Sequence, residues 1–194
     1  RKLKSSSDWT VLEAITRKAL RCLPLDGRQI SALGVAVAGM TDCRNGVVLD
    51  APALRWRNLD LLEKMKPLFE FPVYINNDVN CALMGEQWLG AGKSCNDLFS
   101  IALGTGVGSA IISNGNLIYG ANFMAGEIGF WIEKEDHLTG KKNSFEHFGV
   151  AEHKVSGTAL EKLFSSSKEF FELNDPKGIA KDVTNVGRWG NGDV

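Results

Sequence analysis

Three short stretches of this chain gather side chains able to do chemistry. The first is Asn76-Asn77-Asp78-Val79-Asn80, where a β-branched apolar segment ends and a helical pattern starts. Ligands of open α/β sheets collect at the carboxyl ends of strands. An aspartate there can take a proton from a substrate hydroxyl and turn its oxygen into a nucleophile. Asn77 or Asp78 could equally cap the helix, although three polar residues ahead of its apolar face exceed what capping needs.

The second stretch is Gly104-Thr105-Gly106-Val107-Gly108. A dinucleotide fingerprint needs a helix directly after its glycines, but Ser109-Ala110-Ile111-Ile112 continues as strand, and no G-K-[ST] triplet is present. A glycine turn between strands has two uses. Its backbone N–H groups can approach a polyphosphate, with the Thr105 hydroxyl as a further donor, or it is simply a hairpin that needs positive φ.

The third stretch, Gly126-Glu127-Ile128-Gly129, sets an acid between glycines. A carboxylate accepts two hydrogen bonds at once and so suits the paired hydroxyls of a sugar; a solvated turn glutamate fits the spacing as well. Glu152, ahead of Ser156-Gly157, is a weaker candidate of the same kind. His137, His147 and His153 crowd a polar segment with Glu146 and Glu152, but their spacing matches no standard zinc arrangement and favours a solvated loop.

The elements that must hold these residues follow from pattern. Ser5 to Asp8 offers N-caps for a helix on which Trp9, Leu12, Ile15, Ala19 and Leu23 share a side. Ile30–Ala38 reads as a strand buried in the parallel manner, and Val47–Leu49 as a short strand. Asn58 is placed to cap a helix through Leu68 with Leu61, Leu62, Met65 and Leu68 inward. Pro72–Asn76 reads as a strand and Val79–Leu89 as a helix. This alternation is that of an α/β domain. From residue 97 the pattern becomes an antiparallel meander: Leu98–Leu103, Ser109–Ser113, an Asn114-Gly115 hairpin, then Leu117-Ile118-Tyr119. The chain then reads as irregular from Gly129 to Ser156. Ser156 is placed to cap a helix through Phe164, Ser165–Ser167 to break it, and Lys168–Leu173 to form a last amphipathic stretch. Two lobes are expected, 1–96 and 97–194.

Composition excludes several classes of function. The 194 residues are 44% hydrophobic and 23% charged, so neither a disordered chain nor a membrane protein is expected, and no apolar run approaches the ~18 residues of a span. A net charge of -1 is too low for a chain that grips nucleic acid by itself. The four cysteines, Cys22, Cys43, Cys81 and Cys95, form no C-x-x-C pair, which suits reduced thiols in a cytoplasmic protein.

Taken in order, the motifs resemble the ROK family (repressor, open reading frame, kinase). The resemblance runs from about Leu33 to Leu160. It includes Gly34-Val35-Ala36-Val37-Ala38-Gly39, then Gly46-Val47-Val48-Leu49-Asp50-Ala51-Pro52 with Leu54 and Trp56. Pro72 to Ala82 and Gly85-Glu86 come next, then Leu103 to Gly108, Gly115, Gly120-Ala121 and Ala125 to Gly129. It implies the α/β two-lobed actin-like ATPase (ribonuclease H-like) fold, and a kinase that moves the γ-phosphate of ATP, with magnesium, onto a hydroxyl of a hexose or hexose derivative. By the same resemblance Asp78 is the general base. Asn77, Glu127 and Glu152 hold the sugar, and Gly104, Thr105 and Gly106 touch the nucleotide phosphates. The base and the glycine turn must then face a shared crevice. A homodimer is the expected assembly.

The departures from the family pattern have consequences of their own. Phe130 stands where the family carries the histidine of G-E-x-G-H, a residue that normally contacts sugar. The family's zinc cysteines have Asn143, Phe145 and Val150 in their places, so no zinc is expected. Ala53 replaces a frequent asparagine. The D-x-G-x-T phosphate hairpin has no counterpart before the first helix and the G-G-G adenosine motif none before residue 194, which implies a fragment incomplete at both ends, with exposed sheet edges. Two other functions share this body: a sugar-responsive repressor whose DNA-binding domain lies outside this chain, and a pseudo-kinase that binds sugar without turnover.

Overall fold

The computed structural model describes residues 10–23, 29–143 and 149–166. The caps expected at Ser5–Asp8, Trp9, Phe145, Glu146, His147 and the stretch Lys168–Leu173 lie outside the described residues. The chain divides into two compact units, one reaching Cys95 and including Tyr119–Ala125, the other made of Asn96–Ile118 and the chain from Gly126 on. The sequence expectation contained no such return of 119–125 to the first unit.

In the first unit, helix α1 (Thr10–Arg21) contributes Leu12 to the core. Strand β1 (Leu33–Val37) pairs in parallel with β5 (Val73–Asn77), Leu33 opposite Val73 and Val37 opposite Asn77. The pairing is as expected, but the burial is not. Val37, Val73 and Ile75 are buried whereas Gly34, Ala36 and Tyr74 are exposed, because one face of this two-stranded sheet lies on the core and the other is open. The buried stripe has the period of two that a one-sided sheet imposes.

Strands β2 (Met40–Asp42), β3 (Val47–Ala51) and β4 (Trp56–Asp60) make an antiparallel sheet beside it in the same unit. β4 corrects the expected helix start at Asn58. Asn58 sits inside that strand with φ +47, a left-handed value asparagine tolerates. Trp56 and Leu59 pack on the core from β4. Helix α2 (Leu61–Met65) begins two residues later than Asn58 would have set it, capped by Asp60, whose Oδ1 accepts the Glu63 N–H at 3.0 Å. Leu61 and Met65 then seal a core shared with Val37, Val48, Ala51, Val73 and Ile75. A short 3-10 turn, Lys66–Leu68, completes the segment, and helix α3 (Asp78–Leu89) follows β5 with no intervening loop.

The second unit opens with β6 (Leu98–Leu103), β7 (Val107–Ser113) and β8 (Asn116–Leu117), an antiparallel meander. Asn114 and Gly115 take φ +50 and +75, the two left-handed residues of a tight hairpin. Asp97 braces it, accepting from Ser113 Oγ and the Asn114 N–H. β7 buries Val107, Ser109, Ala110 and Ile112, while Phe99, Ile101 and Leu103 of β6 are exposed. β8 ends at Leu117, short of the expected Tyr119, because Tyr119 leaves the sheet for the first unit.

The stretch expected to be irregular is partly helical: a 3-10 turn at Ile128–Phe130, α4 (Lys134–Leu138) and α5 (Glu152–Val155). Ser156 Oγ accepts the Ala159 N–H at 3.1 Å and so starts α6 (Gly157–Ser166), which runs through Ser165 rather than breaking there.

Candidate functional site

The parallel register of β1 and β5 brings their carboxyl ends out together, so Ala38-Gly39 and Asn76-Asn77-Asp78 emerge at the same end of the sheet. Asn77 uses both ends of its carboxamide. Oδ1 accepts the Asn80 N–H at 3.0 Å, which caps α3, and Nδ2 donates to the Gly39 carbonyl at 2.9 Å. Asn76 Oδ1 accepts the Asn77 N–H at 2.8 Å, and its Nδ2 donates to the Tyr119 hydroxyl at 3.1 Å. Asp78 is the first residue of α3, exposed, with Oδ1 accepting the Val79 N–H at 2.9 Å. The helix is capped by Asn77, so Asp78 is not needed as the cap.

Behind this trio sit two half-buried reduced thiols, Cys43 and Cys81, and the Tyr119 ring, which meets Phe123 edge-on at 6.3 Å. Burial pushes the Cys81 thiol up, and the charges of Asp78 and Cys43 push the same way. Burial also raises Tyr119, helped by a hydrogen bond with Cys43 and opposed by the one from Asn76. Both groups are therefore held in their neutral forms. Tyr119 was not legible as part of this cluster, because no local pattern signals a side chain that bonds to one 43 residues away.

In the second unit the glycine turn joins β6 to β7. The Gly104 N–H donates to the Gly106 carbonyl at 3.0 Å. The Gly104 carbonyl accepts the Gly157 N–H at 2.8 Å, and the Thr105 carbonyl accepts Thr158 Oγ1 at 3.0 Å. In a planar trans peptide the N–H points opposite to the C=O. The N–H groups of Thr105 and Gly106 are therefore directed away from the start of α6. Repulsive carbonyls are tied back and donors are presented, the polarity an anion requires.

Glu127 is half-buried at an inverse γ-turn, φ -77 and ψ 58, closed by the Ile128 N–H to Gly126 carbonyl bond at 2.7 Å. That same carbonyl accepts the Ser109 N–H at 3.1 Å and Ser109 Oγ at 2.7 Å. Ser109 is buried in β7, so the acid's loop is anchored to the sheet. Gly126 has φ +89, and a β-carbon there would strike the Ser109 carbonyl.

Glu152 starts the single turn α5 and lies against the glycine turn. Its Oε2 accepts the Val107 N–H at 2.6 Å, and a β-carbon on Gly106 would meet that same oxygen. Burial raises the Glu152 pKa above its ordinary value, with the Val107 bond and His153 opposing. Within this unit the structure thus brings Gly104, Thr105, Gly106 and Glu152 together. Gly129 also lies against Glu152, its ideal β-carbon position 3.3 Å from Oε2.

Among the described residues, positions where the resemblance would put zinc ligands do other work. The Asn143 carboxamide donates to the Phe130 carbonyl and accepts the Val150 N–H at 2.9 Å. The side chains of Phe130 and Val150 have no atom that binds a metal, so this donor set does not fit zinc. Among the described residues no group of three His, Cys, Asp or Glu could hold a metal ion, and His137 and His153 are exposed. No described helix is long and apolar enough to cross a membrane.

Comparison with known proteins gives these positions a context. The model of the ROK family matches residues 9–185. A glucokinase from Halalkalibacterium halodurans is 40% identical over 97 residues, 50% of this chain and 29% of that protein. A beta-glucoside kinase from Listeria monocytogenes is 36% identical over 56% of this chain and 37% of its own length. A putative xylose repressor from a Caldicellulosiruptor species is 32% identical over 80% of this chain and 38% of its own. The chain thus spans well under half the length of these relatives. Among solved structures, a ROK family glucokinase from Streptomyces griseus, in complex with glucose and AMPPNP, superposes with a TM-score of 0.74 at 28% identity. That match covers 98% of this chain and 63% of that one. The fold is that of the actin-like ATPases, and the chain belongs to the ROK family.

Proposed function

We propose that the protein containing this chain is a sugar kinase that transfers the γ-phosphate of ATP to a hydroxyl of a hexose or hexose derivative. Asp78 is the general base. Asn77, Glu127 and Glu152 hold the sugar, and Gly104, Thr105 and Gly106 hold the nucleotide phosphates. The observation that carries this most directly is the division of labour at the β5–α3 junction. Asn77 does the capping and ties down Gly39, while the neighbouring carboxylate stays exposed.

The Asp78 carboxylate accepts the proton of the sugar hydroxyl as its oxygen bonds to the γ-phosphorus. The bond from that phosphorus to the β–γ bridging oxygen breaks, and ADP leaves with the electron pair. Little covalent work falls to the protein; positioning and charge stabilisation do most of it. Outward N–H groups at Thr105 and Gly106 suit the growing charge on the phosphates. Magnesium, which would arrive with the nucleotide, would supply neutralisation of the phosphate charge. No zinc is proposed, because Asn143 and Val150 hold their segment by hydrogen bonds instead. Phe130 offers the sugar a ring where a histidine would have offered a donor, so the preferred hexose is set by other contacts.

A coupled assay of ADP release by the full-length protein tests this. D-glucose, D-mannose, N-acetyl-D-mannosamine and cellobiose should be offered with ATP and magnesium. Sugar-dependent ADP formation with at least one supports the kinase. The match to xylose repressors, over 80% of this chain in one case, favours a second reading. In it the same body senses sugar for a DNA-binding domain encoded before Arg1. Sugar binding without ADP release, together with a helix-turn-helix in the parent sequence, would decide for it. Binding without ADP release and without such a domain would leave a pseudo-kinase.

A further inference from the structure

Helix α5 is one turn long, and an isolated turn has no stability of its own, since nucleation fixes several residues for a single hydrogen bond. Its orientation comes from what it packs against, α6 and the 3-10 turn at Ile128–Phe130, and from the partners of its own side chains. Glu152 and Lys154 lie two residues apart on it, about 200° around the axis and so on opposite sides. On one side Glu152 reaches the Val107 N–H at 2.6 Å. On the other, Lys154 Nζ sits 2.6 Å from Asp136 Oδ2 and 2.7 Å from Glu133 Oε2.

Asp136 is the centre of this second anchorage. It is 2% exposed, accepts Lys141 Nζ at 2.9 Å on its other oxygen, and completes the capping box of α4 through the Glu133 N–H. A carboxylate taken out of water needs its cations, and removing one leaves a buried charge uncompensated. Lys154, itself exposed, therefore pairs with a buried carboxylate rather than only with a second exposed group.

We propose that the Asp136–Lys154 ion pair is a positioning device for Glu152. It clamps α5 against α4 from the side away from the glycine turn and so fixes where the Glu152 carboxylate stands. Neither residue touches substrate; both act through Glu152. The pair rests on the reading of Glu152 as a sugar ligand given above. It does for α5 with charge what Asn143 does for the adjoining backbone with hydrogen bonds.

The test uses the full-length protein and D-glucose, or whichever hexose of the panel it accepts, with steady-state kinetics well below the melting temperature. Lys154→Gln and Asp136→Asn should each raise the sugar KM about tenfold, the scale of a small misplacement of a binding group, with kcat changed less than threefold. Introduced into Glu152→Gln, Lys154→Gln should add no further rise, because both act on one contact. The double variant Asp136→Asn with Lys154→Met leaves no lone buried charge and should fold even where the single variants do not; its sugar KM should rise as well. A folded variant with a native sugar KM and only a lower melting temperature would show a purely structural pair and overturn the proposal. So would a full additive effect on top of Glu152→Gln. If Glu152→Gln itself leaves sugar binding intact, the assignment of Glu152 fails first, and the positioning role falls with it.

Discussion

Glu152 accepts the backbone N–H of Val107 at 2.6 Å, so the carboxylate on α5 is bonded to the first residue of the strand that leaves the glycine turn. Burial raises its pKa above 4.5 despite that bond. The sign of the pH effect follows. A folded-state pKa above the unfolded one means the folded chain binds the proton more tightly. The associated stability is complete below the unfolded pKa and is lost as pH rises through the folded one. Glu152→Gln should therefore melt no lower than the wild type at pH 7. Any gain should shrink as pH falls toward 4.5, while the sugar KM rises tenfold or more. Thermal melts at stepped pH, paired with sugar titrations, check both halves. A large loss of stability at pH 7 would show that the Val107 bond outweighs the desolvation of the charge.

Gly106 and Gly126 predict opposite outcomes for the same substitution. At Gly106 the atom in the way is the end of the Glu152 side chain, which can swing aside. Gly106→Ala should fold with a near-native melting temperature yet lose sugar and nucleotide affinity together. At Gly126 the obstacle is the Ser109 carbonyl in the middle of β7, and φ is +89. Neither can yield, so Gly126→Ala should lose about 2 kcal/mol or more. Denaturant melts of the two variants distinguish them.

The contrast between these glycines also marks what the sequence could disclose. Both lie in motifs readable from residue types, and the family match agrees with that reading. The turn at Asn114-Gly115 and the cap at Ser156 were legible because they are local: a few neighbouring residues decide them. Asn58 misled because a side chain able to cap is also a side chain able to take left-handed φ, and pairing with β3 decided between them. The full burial expected of β1 failed since a run of valines does not reveal how many faces are covered. Asp136 and Lys154 stood unnoticed in a polar stretch, 18 residues apart, because long-range ion pairs leave no periodic trace.

Asp78 and Asn77 are neighbours whose substitution should separate chemistry from folding. Asp78→Asn keeps the size of the side chain and leaves the cap on Asn77, so the melting temperature should stay within a degree or two. Loss of a general base should lower kcat by about 10²–10⁴-fold. Asn77→Ala removes the cap of α3 and the tie to Gly39 together. It should cost about 1–2 kcal/mol of stability and raise the sugar KM. Unchanged turnover in Asp78→Asn would remove that residue as the base.

Asp136 makes the last expectation one of acid sensitivity. Hydrogen bonds from Lys154 and then Lys141 hold its carboxyl at about 2, below the ordinary 3.8. A depressed folded-state pKa means the unfolded chain takes up the proton first as pH falls. The stability this group contributes is thus whole above about pH 4 and drains away between there and pH 2. Asp136→Asn removes the titrating group, so its melting temperature should be lower than the wild type's at pH 7. The gap should close as both are taken toward pH 2. Lys154→Gln should show the same convergence, since the ammonium matters only while the carboxylate it faces is charged. Thermal melts at half-unit pH steps provide the measurement, and two parallel curves that never converge would mean that packing, not charge, gives Asp136 its place in the fold.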